Sequence, residues 1–200
     1  METLNAQTGL RPGTQQDAGA MASILSEAFR EDPVMNWVFG GPRAIPALFR
    51  TLIRHVYLPH GETWRLGHDG AALWKAHDCD PPVPSLPMYG LLARAFVSGG
   101  PGVMTRMSAM QTAMAAHRPD APHLYLFAIG VRDSARGQGL GGRLLDPVLE
   151  RCDTHGQAAY LENSNPRNHR FYASRGFETL KVFHAGKDAP PMEAMWRQAN

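Results

Sequence analysis

Two cysteines in 200 residues are too few for a disulfide framework, and Cys79 and Cys152 stand too far apart for a Cys-x-x-Cys pair. Both are expected to be reduced thiols. Neither sign of charge dominates: Lys and Arg total 20 against 18 Asp and Glu, a net +2. With the signs interspersed there is no basic stripe to suggest nucleic acid as a partner, although an anionic ligand held locally remains compatible. No apolar run reaches the ~18 residues of a membrane span, and the polar leader over residues 1–9 has no apolar signal core. A cytoplasmic protein without a membrane partner is expected. Nine histidines occur, but none in His-Glu-x-x-His or another recognised ligand spacing, so no metal is assigned. A Gly-x-Ser-x-Gly elbow is also missing, and neither cysteine sits at a helix start or in a basic setting, which argues against a covalent nucleophile on the protein. The length suits one domain, with no repeat to divide it.

What is present concentrates in residues 123–177. His123 to Val131 is an apolar run rich in β-branched and aromatic residues, the pattern of a strand buried on both faces. After a polar connector comes Arg136-Gly137-Gln138-Gly139-Leu140-Gly141-Gly142, then a helical pattern with Leu144, Leu145, Val148 and Leu149 on one face. Glycines between a strand and a helix permit positive φ and close approach of a ligand, so several backbone N–H groups can converge on a phosphate at the helix start. Gly137, Gly139 and Gly142 also satisfy G-x-G-x-x-G, with Glu162 near the offset of a ribose-binding acid. A dinucleotide site, however, wants its glycines at the strand end and further βαβ units beyond, and fewer than 40 residues follow Glu162. No Lys-Ser or Lys-Thr follows the glycines, which disfavours a nucleoside-triphosphate loop.

The pattern Arg/Gln-x-x-Gly-x-Gly/Ala, met as Arg136 to Gly141, is followed by a helix, a strand and Asn165-Pro166-Arg167-Asn168-His169-Arg170-Phe171-Tyr172 leading to Gly176-Phe177. In these two ordered motifs the chain resembles the GNAT superfamily of acetyl-CoA-dependent acyltransferases. The likeness is strong over residues 123–180 and loose over 9–75; Tyr160-Leu161-Glu162 running into Pro166-Arg167-Asn168 resembles the branch that includes puromycin N-acetyltransferase. The resemblance implies an α/β (α+β) fold in a single domain over 1–200. It would comprise a mixed, mostly antiparallel twisted sheet of about six to seven strands flanked by helices, with a V-shaped splay between the fourth and fifth. Residues 1–8 would be a disordered leader, 9–118 the scaffold and acceptor side, and 119–200 the acetyl-CoA-binding core with the C-terminal strands.

The resemblance also assigns roles. Ile129, Gly130 and Val131 would hold the pantetheine arm and polarise the thioester carbonyl. Backbone amides of Arg136, Gly137, Gln138, Gly139, Leu140, Gly141 and Gly142 would take the pyrophosphate. Asn165 or Asn168 would bond the pantetheine, with Asn168 first; Asn165 just before Pro166 equally suits a helix start. Tyr172 would be the general acid toward the departing thiolate. A protonated amine needs a group to take its proton, and Glu162 is the nearest motif-linked carboxylate, with a water relay, Asp32 or Glu31 as alternatives. Asp32, Asn36 and Trp37 are candidates for substrate contact. The implied reaction is acetyl transfer from acetyl-CoA, without a metal, to an amine of a small molecule, by a monomer or homodimer. A non-catalytic acyl-CoA-binding module, an O-acetyltransferase and a protein N-acetyltransferase are the alternatives.

Upstream, Leu10-Arg11-Pro12 suits a short first strand and Thr14 to Asp17 a capping box with Asp for Glu, opening a helix to about Phe29 that Glu31-Asp32-Pro33 breaks. Pro42 to Leu58 repeats the helical pattern, and Trp64 to Leu66 with Ala71 to Lys75 read as a hairpin. The four prolines within Asp78 to Pro87 make a stiff connector, followed by helices at Met88 to Val97 and Gly102 to His117. The second of these carries Met104, Met107, Met110 and Met114 at helical spacing, a stripe expected in the core or, failing that, against an irregular apolar acceptor.

Overall fold

The computed structural model describes residues 9–200; the leader expected over residues 1–8 lies outside the described residues. Seven strands form one sheet: β1 (Leu10–Pro12), β2 (Glu62–Leu66), β3 (Gly70–Ala76), β4 (His123–Val131), β5 (Ala158–Asn163), β6 (Glu178–Phe183) and β7 (Met192–Arg197). They lie in the order β1-β2-β3-β4-β5-β7-β6, with β4 and β5 parallel and every other pair antiparallel. This is the mixed, mostly antiparallel sheet expected. β3 buries Ala71 and Leu73 toward one face and Ala72 and Trp74 toward the other, so helices must cover both.

One face is covered by α1 (Ala18–Ala28), α2 (Pro33–Phe39), α3 (Ile45–Leu52), α4 (Ser85–Gly99) and α5 (Val103–His117). The other is covered by α6 (Leu140–Thr154), whose Leu144, Leu145, Val148 and Leu149 are buried, and the short α7 (His169–Ala173). The capping box ahead of α1 forms: the Asp17 carboxylate accepts from Thr14 N at 2.9 Å and Thr14 Oγ1 at 2.7 Å. The same buried carboxylate takes a bidentate pair from Arg11, at 2.6 and 2.7 Å, and another bond from Arg65, tying β1 and β2 to the start of α1.

Two boundaries differ from expectation. Pro33 does not merely end a helix; it stands at the first position of a new one, where its missing N–H costs nothing, while Asp32 caps that helix by accepting from Met35 N at 2.8 Å. The residues after Asp32 therefore form α2, which ends at Gly40 in the left-handed region (φ 66°). The stiff connector stops at Pro84, because Pro87 falls in the first turn of α4, where proline is tolerated. After α3 the chain continues through a π-helical turn, Ile53–Tyr57, and a last turn, Leu58–His60. That irregularity sets the direction of Tyr57.

The functional opening comes from where pairing stops. β4 and β5 are in register from His123 opposite Ala158 to Leu126 opposite Leu161 and no further. At the same level β4 bulges: Leu73 pairs with Ala128 and Trp74 with Leu126, leaving Phe127 as the extra residue. A bulge turns its strand. From there β4 follows β3 while β5 follows β7, and the sheet splays as expected.

Candidate active site

Beyond the bulge, β4 loses its β5 neighbour, so backbone groups along Phe127 to Val131 that would complete a ladder face a cleft instead. Phe127, Ala128 and Ile129 line a cavity of about 780 Å³ that runs from this splay to α4 and α5. Gly130 has a different local reason: a Cβ there would sit 2.6 Å from the Ala28 Cβ, so the glycine lets α1 press onto β4. Val131 packs against the α6-side core. The strand end is braced by Glu27, which accepts from Arg132 Nη1 at 2.5 Å and from Asp133 N at 3.0 Å.

The glycine run folds as its spacing suggests. Gly137 (φ 76°) and Gly139 (φ 74°) occupy the left-handed region, and a Cβ on either would meet nothing within 4 Å. Gly139 caps α6, and the first amide of that helix with an intrahelical partner is Arg143 N, to Gly139 O at 3.2 Å. Hence Leu140, Gly141 and Gly142 direct amides out of a helix start into open space, the arrangement an anion needs. Gly141 and Gly142 are also small for packing. The ring of Phe171 lies 3.1 Å from a Cβ built on Gly141, and a Cβ on Gly142 would run into the Arg175 guanidinium. Arg175 itself lies 4.3 Å over Phe171 and donates to Asp146 at 2.6 Å, coupling α6 to α7. Arg136 is paired with Asp133 at 2.8 Å, and Gln138 is exposed.

At the far side of the splay, Asn165 accepts from Arg167 N at 3.1 Å and receives its own position from Asn163 Oδ1, which takes Asn165 N at 3.2 Å. It is a helix-start residue. Asn168, one turn on, is exposed and borders the cavity. Tyr172 lines the same cavity, with its ring between Phe171 and Phe177 at centroid distances of 5.2 and 6.0 Å. Burial, and secondarily the charge of Asp32, push its phenol above the ordinary tyrosine range, so it keeps its proton at every physiological pH.

Glu162 lies at the end of β5, one residue past the last β4 pairing, and faces the α1–α5 side. Neither carboxylate oxygen has a hydrogen-bonding partner of regular geometry, although the hydroxyls of Tyr125 and Tyr160 lie close enough to stabilise its charge. Burial raises its pKa above the usual glutamate value; the nearby hydroxyl of Tyr125, the charge of Arg118 and the hydroxyl of Tyr160 oppose that shift without overcoming it. Tyr57, brought in by the π-helical turn, is a third phenol in its field. Arg118 lies 5.1 Å from the centre of the Tyr125 ring and Lys75 Nζ 5.8 Å. Both cations meet Asp80, Lys75 in a direct ion pair and Arg118 at 3.8 Å. A carboxylate whose pKa is raised by burial in a largely apolar cavity is a stronger proton acceptor than an exposed one.

Of the three acceptor-side candidates, Asp32 is buried and structural. It caps α2 and accepts from Ser164 Oγ at 2.5 Å, which fastens α2 to the end of β5. Burial raises its pKa, against its bonds to Met35, Ser164 and Val34. Asn36 donates to Arg30 O and Asp32 O, both at 2.9 Å, and Trp37 packs against the core. Neither lines the cavity; their neighbours Val34, Met35 and Val38 do. The methionine stripe does both things expected of it: Met110 is buried in the core with Met107 and Met114 packed against it, and all four members line the cavity. Among the described residues there is no cluster of three or more His, Cys, Asp or Glu able to hold a metal, and no helix long and apolar enough to cross a membrane.

Comparison with known proteins follows the same outline. A sequence model of the acetyltransferase (GNAT) family matches residues 109–177, from α5 through the glycine run to Phe177. An uncharacterised N-acetyltransferase from Schizosaccharomyces pombe is 32% identical over 76 residues, which are 37% of this chain and 31% of that relative, so the match spans about a third of its length. A solved structure named as histone acetyltransferase HPA2 and related acetyltransferase, from Corynebacterium glutamicum, aligns at TM-score 0.68 with 27% identity over 96% of both chains. Arylalkylamine N-acetyltransferase 2 from Aedes aegypti aligns at TM-score 0.63 with 13% identity, over 96% of this chain and 98% of its own, and shares the fold. Over the residues each covers, the chain is thus similar to acetyltransferases, the family-model match being to the GNAT family.

Proposed function

We propose that this protein transfers an acetyl group from acetyl-CoA to an amine of a small-molecule acceptor, by direct attack while both substrates are bound. The observation that carries this reading is the cavity that opens where the β4–β5 pairing stops, whose walls hold both Glu162 and Tyr172, on a strand that leads into the glycine-capped start of α6. Acyl transfer is the general chemistry of the matched family. The run from Tyr160 to Tyr172 further supports the branch that includes puromycin N-acetyltransferase. In this reading residues 1–200 are one acetyltransferase domain, with 9–118 as the acceptor side and 119–200 as the cofactor side, and the protein works in the cytoplasm.

Acetyl-CoA supplies an activated thioester. The residues fit it: free amides of Leu140 to Gly142 and the open space at Gly137 and Gly139 suit a pyrophosphate, and the unpaired edge at Ile129 and Val131 suits an extended amide-bearing arm. Amides of Phe127 to Val131 near the thioester carbonyl would stabilise the charge that grows on its oxygen. Glu162 takes the proton of the acceptor ammonium, freeing the nitrogen lone pair to form the N–C bond as the C–S bond breaks. Tyr172, kept protonated by its surroundings, gives its proton to the sulfur and recovers one from solvent or from the amide nitrogen. The net products are an acetamide, free CoA thiol and one proton.

A thiol-release assay over a panel of amines tests the reading, together with thermal unfolding. Acetyl-CoA at about 100 times its dissociation constant should stabilise the fold by about 2.7 kcal/mol, and NADH should not. A CoA shift without thiol release from any amine would point instead to an acyl-CoA-binding module, and release only with alcohols or peptides to O- or protein acetylation. A shift with NADH alone would overturn the cofactor assignment.

A further inference from the structure

The acceptor side of the cavity has a charge inventory that narrows what it can hold. Among its lining residues the ionisable acids are Glu162 and Asp80, and the cations are Lys75 and Arg118. Asp80 already serves both cations. Glu162 therefore remains as the one carboxylate among them without a counter-ion in contact, its two oxygens buried with the phenols of Tyr125 and Tyr160 beside them. Apart from Ser108 and Gln111 on α5 and Asn163, Ser164 and Asn168 at the splay, the wall is apolar and pliable: Met35 from α2, Met88 from α4, Met107, Met110 and Met114 from α5, and Met192 from β7.

We infer that this cavity takes a monoamine with an apolar body, its single ammonium set at Glu162 and its body among the methionines of α4 and α5. This rests on the acetyl-transfer reading for the name acceptor, but the site is defined by its own chemistry. One buried carboxylate neutralises one ammonium, and the phenols of Tyr57, Tyr125 and Tyr160 lie in its field. A second ammonium further along would lose its water beside thioether and methyl groups, with Ser108 and Gln111 as the polar side chains of α5 and no second free carboxylate among the lining residues. A carboxylate on the ligand would have to compete with Asp80 for Lys75 and Arg118, which flank Tyr125. A volume of about 780 Å³ shared with the acyl arm is in the range of sites that enclose a small organic molecule.

The test is calorimetric titration of the protein saturated with CoA, using butylamine, hexylamine, heptylamine and octylamine, then hexamethylenediamine and aminohexanoate as comparators of similar length. Affinity is expected to rise roughly fourfold per added methylene. Hexamethylenediamine, which replaces the terminal methyl of heptylamine by a second ammonium, is expected to bind at least about tenfold more weakly, and aminohexanoate likewise. Affinity independent of chain length, a diamine or amino acid bound as well as heptylamine, or no alkylamine binding at all would overturn the inference. Acetyl-CoA turnover is read on the same compounds. The expected binding order without turnover would keep the monoamine site and defeat acetyl transfer, whereas faster turnover of the diamine would keep acetyl transfer and defeat the monoamine site. Met107→Glu, or Met114→Glu on the same half-buried stripe, places a carboxylate in the apolar wall and should close the gap between heptylamine and the diamine. A gap unchanged in a folded variant counts against the assignment of that wall to the amine's body.

Discussion

The two sides of the splayed sheet offer recognition of different kinds. On the α6 side, the groups free to meet a ligand are backbone amides, positioned by two left-handed glycines and a helix start, and the side chains nearby are occupied with one another. On the α1–α5 side, the backbone is consumed by regular structure and the cleft is defined by side chains from α2, α3, α4, α5, the π-helical turn and four strands. A backbone site depends on a short run of chain adopting one conformation. A side-chain site depends on many distant segments packing correctly, so a change there alters selectivity before it alters the fold. Glu162 and Tyr172 stand where the two kinds meet.

The largest expected effect probes that meeting point. Glu162→Gln removes the proton acceptor and keeps the shape, and turnover should fall by roughly 10²- to 10⁴-fold with acetyl-CoA binding retained. Stability should move the other way. A carboxyl whose folded-state pKa is raised by burial favours the fold while protonated, and that contribution is lost as pH rises through the raised value. At neutral pH the variant should therefore be the more stable protein, by about 1–3 kcal/mol for a buried group without a counter-ion in contact. Wild-type activity should rise with pH across the same window, and the variant should lack both pH dependences in thermal melts and initial rates. Near-wild-type turnover would hand the proton to a water relay and make the acceptor side a pocket alone.

Tyr172→Phe comes next. It deletes the hydroxyl and preserves the packing between Phe171 and Phe177, so folding and CoA binding should persist while turnover drops by about 10²-fold, equivalent to about 2.7 kcal/mol of transition-state stabilisation. Single-turnover rates within a factor of about three of wild type would leave Tyr172 as a packing residue.

Gly139→Asp attacks the backbone side. The new side chain meets no atom, so its cost is the left-handed φ and a negative charge at the start of α6 facing the phosphates. The stabilisation of about 2.7 kcal/mol expected at 100-fold saturation should vanish, while binding of alkylamines to the other side is kept. Undiminished CoA affinity would mean that the pyrophosphate is held elsewhere.

This contrast also governs what could be read from the chain. The glycine run, the Asn165 to Tyr172 motif and the Asp17 capping box are local, and each took the conformation its spacing implies. The surroundings of Glu162 are not local: Tyr57, Lys75, Arg118 and Tyr125 come from four separate segments, and no spacing gathers them. One signal was available, since Tyr160 and Glu162 are two apart on a strand and must share a face. Trp37 and Asn36, candidates for substrate contact, stand on α2, whose cavity face is Val34, Met35 and Val38. Pro33 misled because a proline that stops one helix also starts the next. The methionine stripe was ambiguous for a physical reason: helical periodicity marks an apolar face but not whether protein or ligand covers it.

The smallest expected effect separates two asparagines that look equivalent in the motif. Asn165 spends its side-chain oxygen on Arg167 N, and its backbone is held by Asn163, so its contribution is to start the turn that leads into α7. Replacing such a cap by alanine costs about 1 kcal/mol. Asn165→Ala should therefore lower the melting temperature by a few degrees, roughly 2–4 °C for a chain of this size, with CoA affinity unchanged once the folded fraction is taken into account. Asn168 is exposed at the cavity border and does not cap through its side chain, so Asn168→Ala should leave the melting temperature alone and weaken CoA binding by the worth of one hydrogen bond, about 0.5–1.5 kcal/mol. The reverse outcome, a stability loss at Asn168 and an affinity loss at Asn165, would move the pantetheine contact one turn earlier. It would also extend the backbone-defined side of the cleft into the segment between β5 and α7.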